Sequence, residues 1–275
     1  MAIYAEYATL NSVRTLYAGT SATAQDTFIL DLIRATSRDI NAQAGGRAFY
    51  PRIETRYYDV PADRQLDLDD DLLALTTLTN GDNNAIASTE YKLYPRNETP
   101  AYGVRLNESS AEIWEPDNDG NYESVIDVLG IWGYHHLYSH AWPDTTAILA
   151  AAITTTMATS TTCTTGLIYA GDLIKLDSEY LYVSAVATGA SDTLTLVRGV
   201  NGSTAATHVI SSIIYRWWNP DIFQLCAEAV VAKVRLKNSP VGDTVQVGDA
   251  TFQTPKDVNA FVRKRLEGLG FVRTF

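Results

Sequence analysis

Four groups of side chains in this sequence have the types and spacing that chemistry uses, and each implies a different kind of site. Asp67, Asp69, Asp70 and Asp71 place four carboxylates in the phrase QLDLDDDLLALTTLTNGDN, the composition of a hard-cation site. Consecutive residues on a strand point to opposite faces, however, and a calcium loop spreads its ligands over about twelve residues with glycine at the bend. The acidic run is therefore expected to be a solvated loop. In EPDNDGNYESVI, Glu115, Asp117, Asp119 and Gly120 match the first, third, fifth and sixth positions of an EF-hand loop, but the closing position is Ile126 instead of a bidentate glutamate. That segment reads as an Asx-rich hairpin turn. His135, His136 and His140 include a pair at helical spacing suited to zinc, yet no Cys, Asp or Glu falls nearby at a useful interval. Strand leaving into loop, with aromatic packing, is the expectation there. Arg198 and His208 lack a nucleophile or acid arranged with them, so a turn-stabilising hydrogen bond and a surface ring are expected. No nucleophile, base and orienting group can be assembled from these motifs, which weighs against a metal-dependent hydrolase drawing on the aspartates or histidines. No cofactor is called for.

The elements that would position these groups begin with QDTFILDLIRATSRDINAQAGGRAFYPR, around which the chain is organised. Ile29, Leu32, Ile33, Thr36, Ile40 and Ala44 fall on one helical stripe, and Asp31, Arg34 and Arg38 fall opposite. Gly45 and Gly46 supply a left-handed C-cap, and Pro51 forbids the helix from resuming. Upstream, Thr9 is placed to cap a short helix LNSVRTLY ending at Gly19. Downstream, Ile53 to Val60 and Leu73 to Thr79 read as strands, and YKLYPRNETPAYGVRL as two short strands around a proline-marked turn.

From Thr145 to Tyr215 the composition changes: fifteen threonines accompany only six charged residues. LIKLD, EYLYVSAV, TLTLV and ISSIIYRW read as short strands of a separate small β module, with turns at Gly171-Asp172, Asp177-Ser178 and Asn201-Gly202. Helix returns at Asn219, an N-cap, with Pro220 in the first turn and a broad apolar face. Lys233 lies on that apolar side and needs a carboxylate or a route to water. A Gly-rich turn region, SPVGDTVQVGDATFQ, precedes a final helix expected to be capped by Thr254, with a stripe of Val258, Phe261, Val262, Leu266 and Leu269. FVRTF is left as a tip with no obvious local core.

Net charge is −11, which argues against a general nucleic-acid clamp. From Asp221 onward eight Lys or Arg face six Asp or Glu, leaving −13 on the first 220 residues. Cys163 and Cys226, far apart in unlike segments, read as reduced and partly buried thiols. The N-terminal residues lack the basic start and apolar run of a secretory signal, and no stretch approaches the length of a membrane span, so a soluble compartment is expected.

In this order, TLNSVRTLY, the helix ending GGRAFYPR, the strand RYYD, the YKLYP turn, the strand VIDVLGIWGY and the late helix followed by TPKDVNAFVRKRL resemble the head-tail connector (adaptor) proteins of long-tailed bacteriophages. The resemblance implies an α+β fold: a small helical bundle with a β-rich extension, made of residues 1–142 and 216–275, into which the all-β module 143–215 is inserted. It implies a homo-oligomeric ring, commonly dodecameric, between portal and tail in the virion neck, assembled after synthesis in the host bacterial cytoplasm. The ring would extend the channel for double-stranded DNA. Its partners would be the portal protein, tail-side neck or tail-terminator proteins and, at the vertex, the capsid, with no membrane. The basic C-terminal residues Arg263, Lys264, Arg265, Phe271, Arg273 and Phe275 become candidates for portal docking. Ile29, Ile33 and Ile40 against Ile222, Cys226, Val230 and Lys233 become candidates for the subunit interface. A competing reading of the Thr-rich module is a glycan- or receptor-binding virion domain that stacks sugars on exposed Tyr and Trp.

Overall fold

The computed structural model of the chain describes residues 6–17, 25–238, 244–247, 250–253 and 257–272. Helix α1 (Leu10–Tyr17) is opened by Thr9, whose Oγ1 accepts from the Ser12 amide at 3.2 Å while Ser12 Oγ accepts from the Thr9 amide at 3.1 Å. This reciprocal exchange satisfies two donors that the first turn leaves over. Helix α2 (Asp26–Gln43) buries Ile29, Ile33, Thr36, Ser37 and Ile40 along one stripe. It ends in a Schellman motif: the Gly46 amide donates to Asn41 O at 2.9 Å and the Gly45 amide to Ala42 O at 3.3 Å. Both glycines have positive φ, 71° and 81°, where a Cβ would be strained.

The chain then enters a five-stranded antiparallel sheet: β1 (Arg52–Tyr58), β2 (Gln65–Thr79), β3 (Tyr91–Tyr94), β4 (Ala101–Leu106) and β5 (Ile126–Trp132), in the order β1-β5-β2-β4-β3. Alternation on β5 buries Ile126, Val128 and Trp132 against Leu66, Leu72, Leu78, Val104 and Leu106, the core of this sheet. The acidic run Asp67–Asp71 lies inside β2, a strand of 15 residues, and not in a solvated loop. Pairing with β4 shifts register between Asp67 and Leu72, a bulge that lets Asp70 and Asp71 turn into buried positions.

A second antiparallel sheet holds β6 (Asp144–Ile148), β7 (Ser160–Cys163), β8 (Leu173–Leu176), β9 (Glu179–Ala187), β10 (Asp192–Val197) and β11 (Ile213–Arg216), ordered β6-β11-β8-β9-β10-β7. Its two outer strands meet. Leu149 bridges Cys163, the Ala150 amide donates to Thr162 O at 2.8 Å, and the Thr164 amide donates to Ile148 O at 3.1 Å. The sheet therefore curls back on itself around Leu149, Ile168, Ile174, Leu176, Leu181, Val183, Leu194 and Ile214, and its backbone edges are consumed.

Helix α3 (Pro220–Asn238) follows, then a two-stranded hairpin, β12 (Thr244–Val247) with β13 (Ala250–Gln253), and helix α4 (Val258–Gly268). The hairpin occupies a stretch that reads in sequence as turn. Thr254 and Pro255 lie outside the described residues. The observed cap of α4 is Asp257, whose carboxylate accepts from the Asn259 and Ala260 amides at 2.9 and 3.0 Å.

The expected helical bundle with a β-rich extension is overturned. Eleven strands in two antiparallel sheets dominate the described residues, and four helices accompany them. Amphipathic helices carry a local signal and dominate a reading of the sequence, whereas the charged run of β2 is stabilised as strand by cross-strand partners that no local signal announces. The chain divides into two compact units. One comprises residues up to Arg47, Trp142–Val200 and Thr204 onward, uniting the helices with the six-stranded sheet; the other comprises Ala48–Ala141 and Asn201–Ser203, built on the five-stranded sheet.

Candidate functional site

A dense polar cluster of the six-stranded sheet centres on Glu179, the first residue of β9. A two-residue turn, Asp177-Ser178 with Asp177 at φ 51°, joins β8 to β9 and drives the Glu179 side chain into the interior, fully buried. Arg198 Nε and Nη2 each donate to it at 2.7 Å, a bidentate pair. The Gly199 amide donates to Oε1 at 2.9 Å and the Ala206 amide to Oε2 at 2.9 Å. His208 Nε2 lies 2.8 Å from Oε2, and its Nδ1 lies 2.7 Å from Asp177 Oδ2 at the surface. Arg198 also donates to the carbonyls of Thr155, Ala158 and Ala206.

Five donors converge on one carboxylate, and two oxygens offer about four lone-pair sites. Burial would raise the Glu179 pKa, but Arg198, the Ala206 amide, His208 and the Gly199 amide overcome it and hold the carboxyl at about 2. A carboxylate so saturated has no capacity for a substrate proton. The arrangement is a clamp on the loop between Arg198 and His208. His208, expected as a surface ring, is buried, because the two carboxylates give its ring nitrogens partners that water would otherwise supply. Glu179 itself escapes sequence reasoning. The available signal is that Arg198 and His208 stand alone in a segment otherwise without charge, and an isolated charge in such a segment needs a partner elsewhere.

At the other end of β8 a second buried cluster surrounds Asp172. Its Oδ2 accepts from the Tyr169 amide at 2.8 Å, and Arg216 Nη1 is 3.8 Å away. Burial pushes the Asp172 carboxyl up to about 6, which Arg216 and the Tyr169 amide only partly offset and the neighbouring Glu6 carboxylate reinforces. Glu6 Oε1 accepts from Tyr182 Oη at 2.6 Å and from Arg34 Nε at 2.9 Å, while its Oε2 is buried with no hydrogen-bond partner among the described residues. Burial also raises the Glu6 pKa.

The acidic run of β2 is a pairing site and not a cation site. Asp70 Oδ2 accepts from Arg52 and Arg56, each at 2.7 Å, and Asp69 Oδ1 accepts from Tyr58 Oη at 2.6 Å and Arg56 Nη1 at 2.9 Å. Arg56 lies 4.6 Å over the Trp132 ring. In the Asx turn Asp117 accepts from the Asp119 and Asn121 amides at 2.9 and 2.8 Å, leaving its Oδ1 engaged with backbone. His135 is buried and stacks on His136 with ring centroids 5.4 Å apart, and the Leu137 amide donates to its Nδ1 at 3.0 Å. No group of three or more His, Cys, Asp or Glu among the described residues could hold a metal ion.

The helix residues considered for a subunit interface are brought together, but inside the chain. Ile29, Ile33, Ile40, Ile222, Cys226 and Val230 are all buried where α2 packs on α3. Cys226 Sγ lies 3.7 Å from Ser37 Oγ, and burial pushes its thiol up to about 12; Cys163 is likewise buried and free, pushed up to about 11. Lys233 donates to Asp39 Oδ2 at 2.8 Å and Thr36 Oγ1 at 3.0 Å, so its carboxylate is also supplied by α2. Six of the seven candidates are buried within the chain, and Lys233 is half-buried. Apolar periodicity reports that a helix face is covered, not by which chain.

Of the docking candidates, Arg263 pairs with Glu267 at 2.9 Å and Arg265 Nη2 lies 3.9 Å from Glu228, both at exposed positions, and Lys264 is exposed. Phe271 is buried and its carbonyl accepts from Arg47 at 3.2 Å, beside the exit of α2. Arg273 and Phe275 lie outside the described residues. Of the tyrosines in the Thr-rich module, Tyr180 and Tyr182 are buried, Tyr180 stacking on Trp142 at 5.1 Å, while Tyr169 and Tyr215 are half-buried. No known protein family matches this sequence, and no curated protein is significantly similar to it.

Proposed function

We propose that this chain is a structural virion protein, a ring-forming adaptor between the portal and the tail of a long-tailed bacteriophage. One observation carries the reading beyond the sequence resemblance. The helical segments that bear the resemblance, α1 and α2 near one end of the chain and α3 and α4 near the other, pack on one another within one unit: α3 touches α1, α2 and α4, and α2 touches α4. RYYD, YKLYP and VIDVLGIWGY likewise fall on β1, β3 and β5 of a single sheet. The helical segments quoted for the likeness thus pack together within one unit, and the strand segments share the sheet of the other.

The polar clusters suit a structural role. The Glu179 and Asp70 carboxylates are engaged by arginine and backbone donors, and neither is paired with a nucleophile. An acidic chain around a DNA channel guides the genome without retaining it, since phosphate affinity rises with each cation offered. Docking to portal falls to α4, where Lys264 and Arg263 project from the row opposite Val258, Val262 and Leu266.

The test is mass and shape by light scattering and negative-stain imaging, for the protein alone and mixed with portal. Rings of about a dozen subunits around a central hole are expected in at least one sample. A single globular chain that ignores portal overturns the reading.

A further inference from the structure

The curled six-stranded sheet has one wall unlike the rest of the molecule. From Thr145 to Gly171 the chain contains no Asp, Glu, Lys, Arg or His, and from Gly199 to Tyr215 it contains no Asp, Glu, Lys or Arg. The fold lays these two stretches side by side. Ile148 pairs with Ile213, the Ser211 amide donates to Leu149 O at 2.9 Å, and Ile153 pairs with His208. Alternation sends Ala147, Leu149, Ile153 and Ile214 inward and leaves apolar side chains outside: Val209 is 73% exposed, Ile210 58%, Ile213 42% and Ile148 40%, with Ala150, Ala151 and Ala152 exposed beside them. Asp144 marks one end of the wall, opposite Tyr215, and Asp177, bonded to His208, marks the other.

We infer that this wall, β6 with β11 and the segments that extend them, is a contact surface occupied by a second copy of the same chain. The inference deepens the ring reading and rests on it, and three observations select the occupant. First, β6 and β11 are paired on both sides or closed onto β7, so a partner meets side chains and cannot add a strand. Second, between the charged residues at its two ends, Asp144 and Arg216 at one and Asp177 at the other, the wall offers no carboxylate to a basic partner and no cation to an anionic one, so complementarity selects an equally uncharged surface. Third, a chain of net charge −11 repels its own copies wherever carboxylates face one another, and this is a wall where contact brings no like charges together. The exposed Ala, Val and Ile side chains also lose little rotamer freedom when covered. The wall takes over the role first sought on α2 and α3, whose apolar faces are already buried.

The experiment compares the unaltered chain with the double variant Val209→Lys/Ile213→Lys and with Tyr102→Lys, an exposed site on the other sheet. Mass is measured over a concentration series, alone and with portal, and circular dichroism checks the fold. The expected result is association by the unaltered chain and by Tyr102→Lys, and at least a tenfold weaker association by the folded double variant. A double variant that forms the same rings as the unaltered chain overturns the wall and leaves the ring reading standing. Association that is lost in the double variant but stops at small species, with no ring on portal, supports the wall and overturns the ring. An unaltered chain that stays single in both samples overturns both. If the double variant unfolds, the milder Ile210→Ser, 58% exposed in the free chain, must weaken association, and unchanged association then overturns the wall.

Discussion

Asp172 and Glu179 stand at the two ends of the same short strand, β8 and its turn, and both are buried, yet their surroundings drive them in opposite directions. Glu179 is met by a bidentate guanidinium, two amides and an imidazole, and is held at about 2 against an ordinary value of 4.5. Asp172 is met by one amide and a guanidinium 3.8 Å away, with Glu6 adding negative charge, and is raised from 3.8 to about 6. Burial acts alike on both. The number and closeness of donors decides the sign.

The signs have consequences for stability. Glu179, with its folded pKa depressed, contributes stability that is present above about pH 4.5 and is lost as pH falls toward 2. Asp172, with its folded pKa raised, contributes stability that is full below about pH 4 and is lost as pH rises through 6. Each displacement corresponds to about 3 kcal/mol, so these two groups together favour the folded unit most near about pH 4.

The largest effect is expected from Glu179→Gln, which leaves the Arg198 guanidinium buried without a counter-charge. Urea unfolding at pH 7 is expected to show a loss of about 3–5 kcal/mol, and a loss below about 1 kcal/mol would mean that water reaches Arg198. Next comes Asp172→Asn, expected to stabilise the protein at pH 8 by up to about 3 kcal/mol while giving little gain below about pH 4. Equal unfolding midpoints for variant and parent at pH 8 would remove the claimed ionisation penalty. Glu6→Gln takes away the charge that reinforces the Asp172 shift, so the Asp172 titration followed by carboxyl NMR is expected to move down by a fraction of a unit; a midpoint that stays or rises would uncouple the two groups. The smallest effect belongs to Asp177→Asn, which touches the exposed end of the His208 bridge and is expected to change stability by no more than about 0.5 kcal/mol. A larger loss in the same urea assay would make the whole relay, and not Glu179 alone, the clamp.

The same contrast separates what was legible in the sequence from what was not. Thr9, the Gly45-Gly46 ending, the Asn219-Pro220 start and the strands around Leu173, Glu179 and Asp192 were readable because each signal lies within a few residues. The acidic run of β2 was not, since Arg52 and Arg56 reach Asp70 from 18 and 14 residues away. Glu179 finds its side-chain partners 19 and 29 residues downstream, and nothing at Asp-Ser-Glu announces them. Ile33 and Val230 were rightly read as facing an apolar surface, but periodicity cannot distinguish a covering helix of the same chain from that of a neighbour. Phe271 shows the same limit at smaller scale: its surroundings lie beside Arg47, far away in sequence.

In the closed sheet the first strand, β6, and the last, β11, are direct neighbours, with Asp144 paired to Tyr215 and the rings of Trp142 and Trp217 5.2 Å apart. The chain thus leaves this module almost where it entered. To the chain that arrives from β5 and continues into α3, some seventy residues of β structure are geometrically equivalent to a tight turn, and the length of such a segment can change with little effect on the junction at which α3 begins.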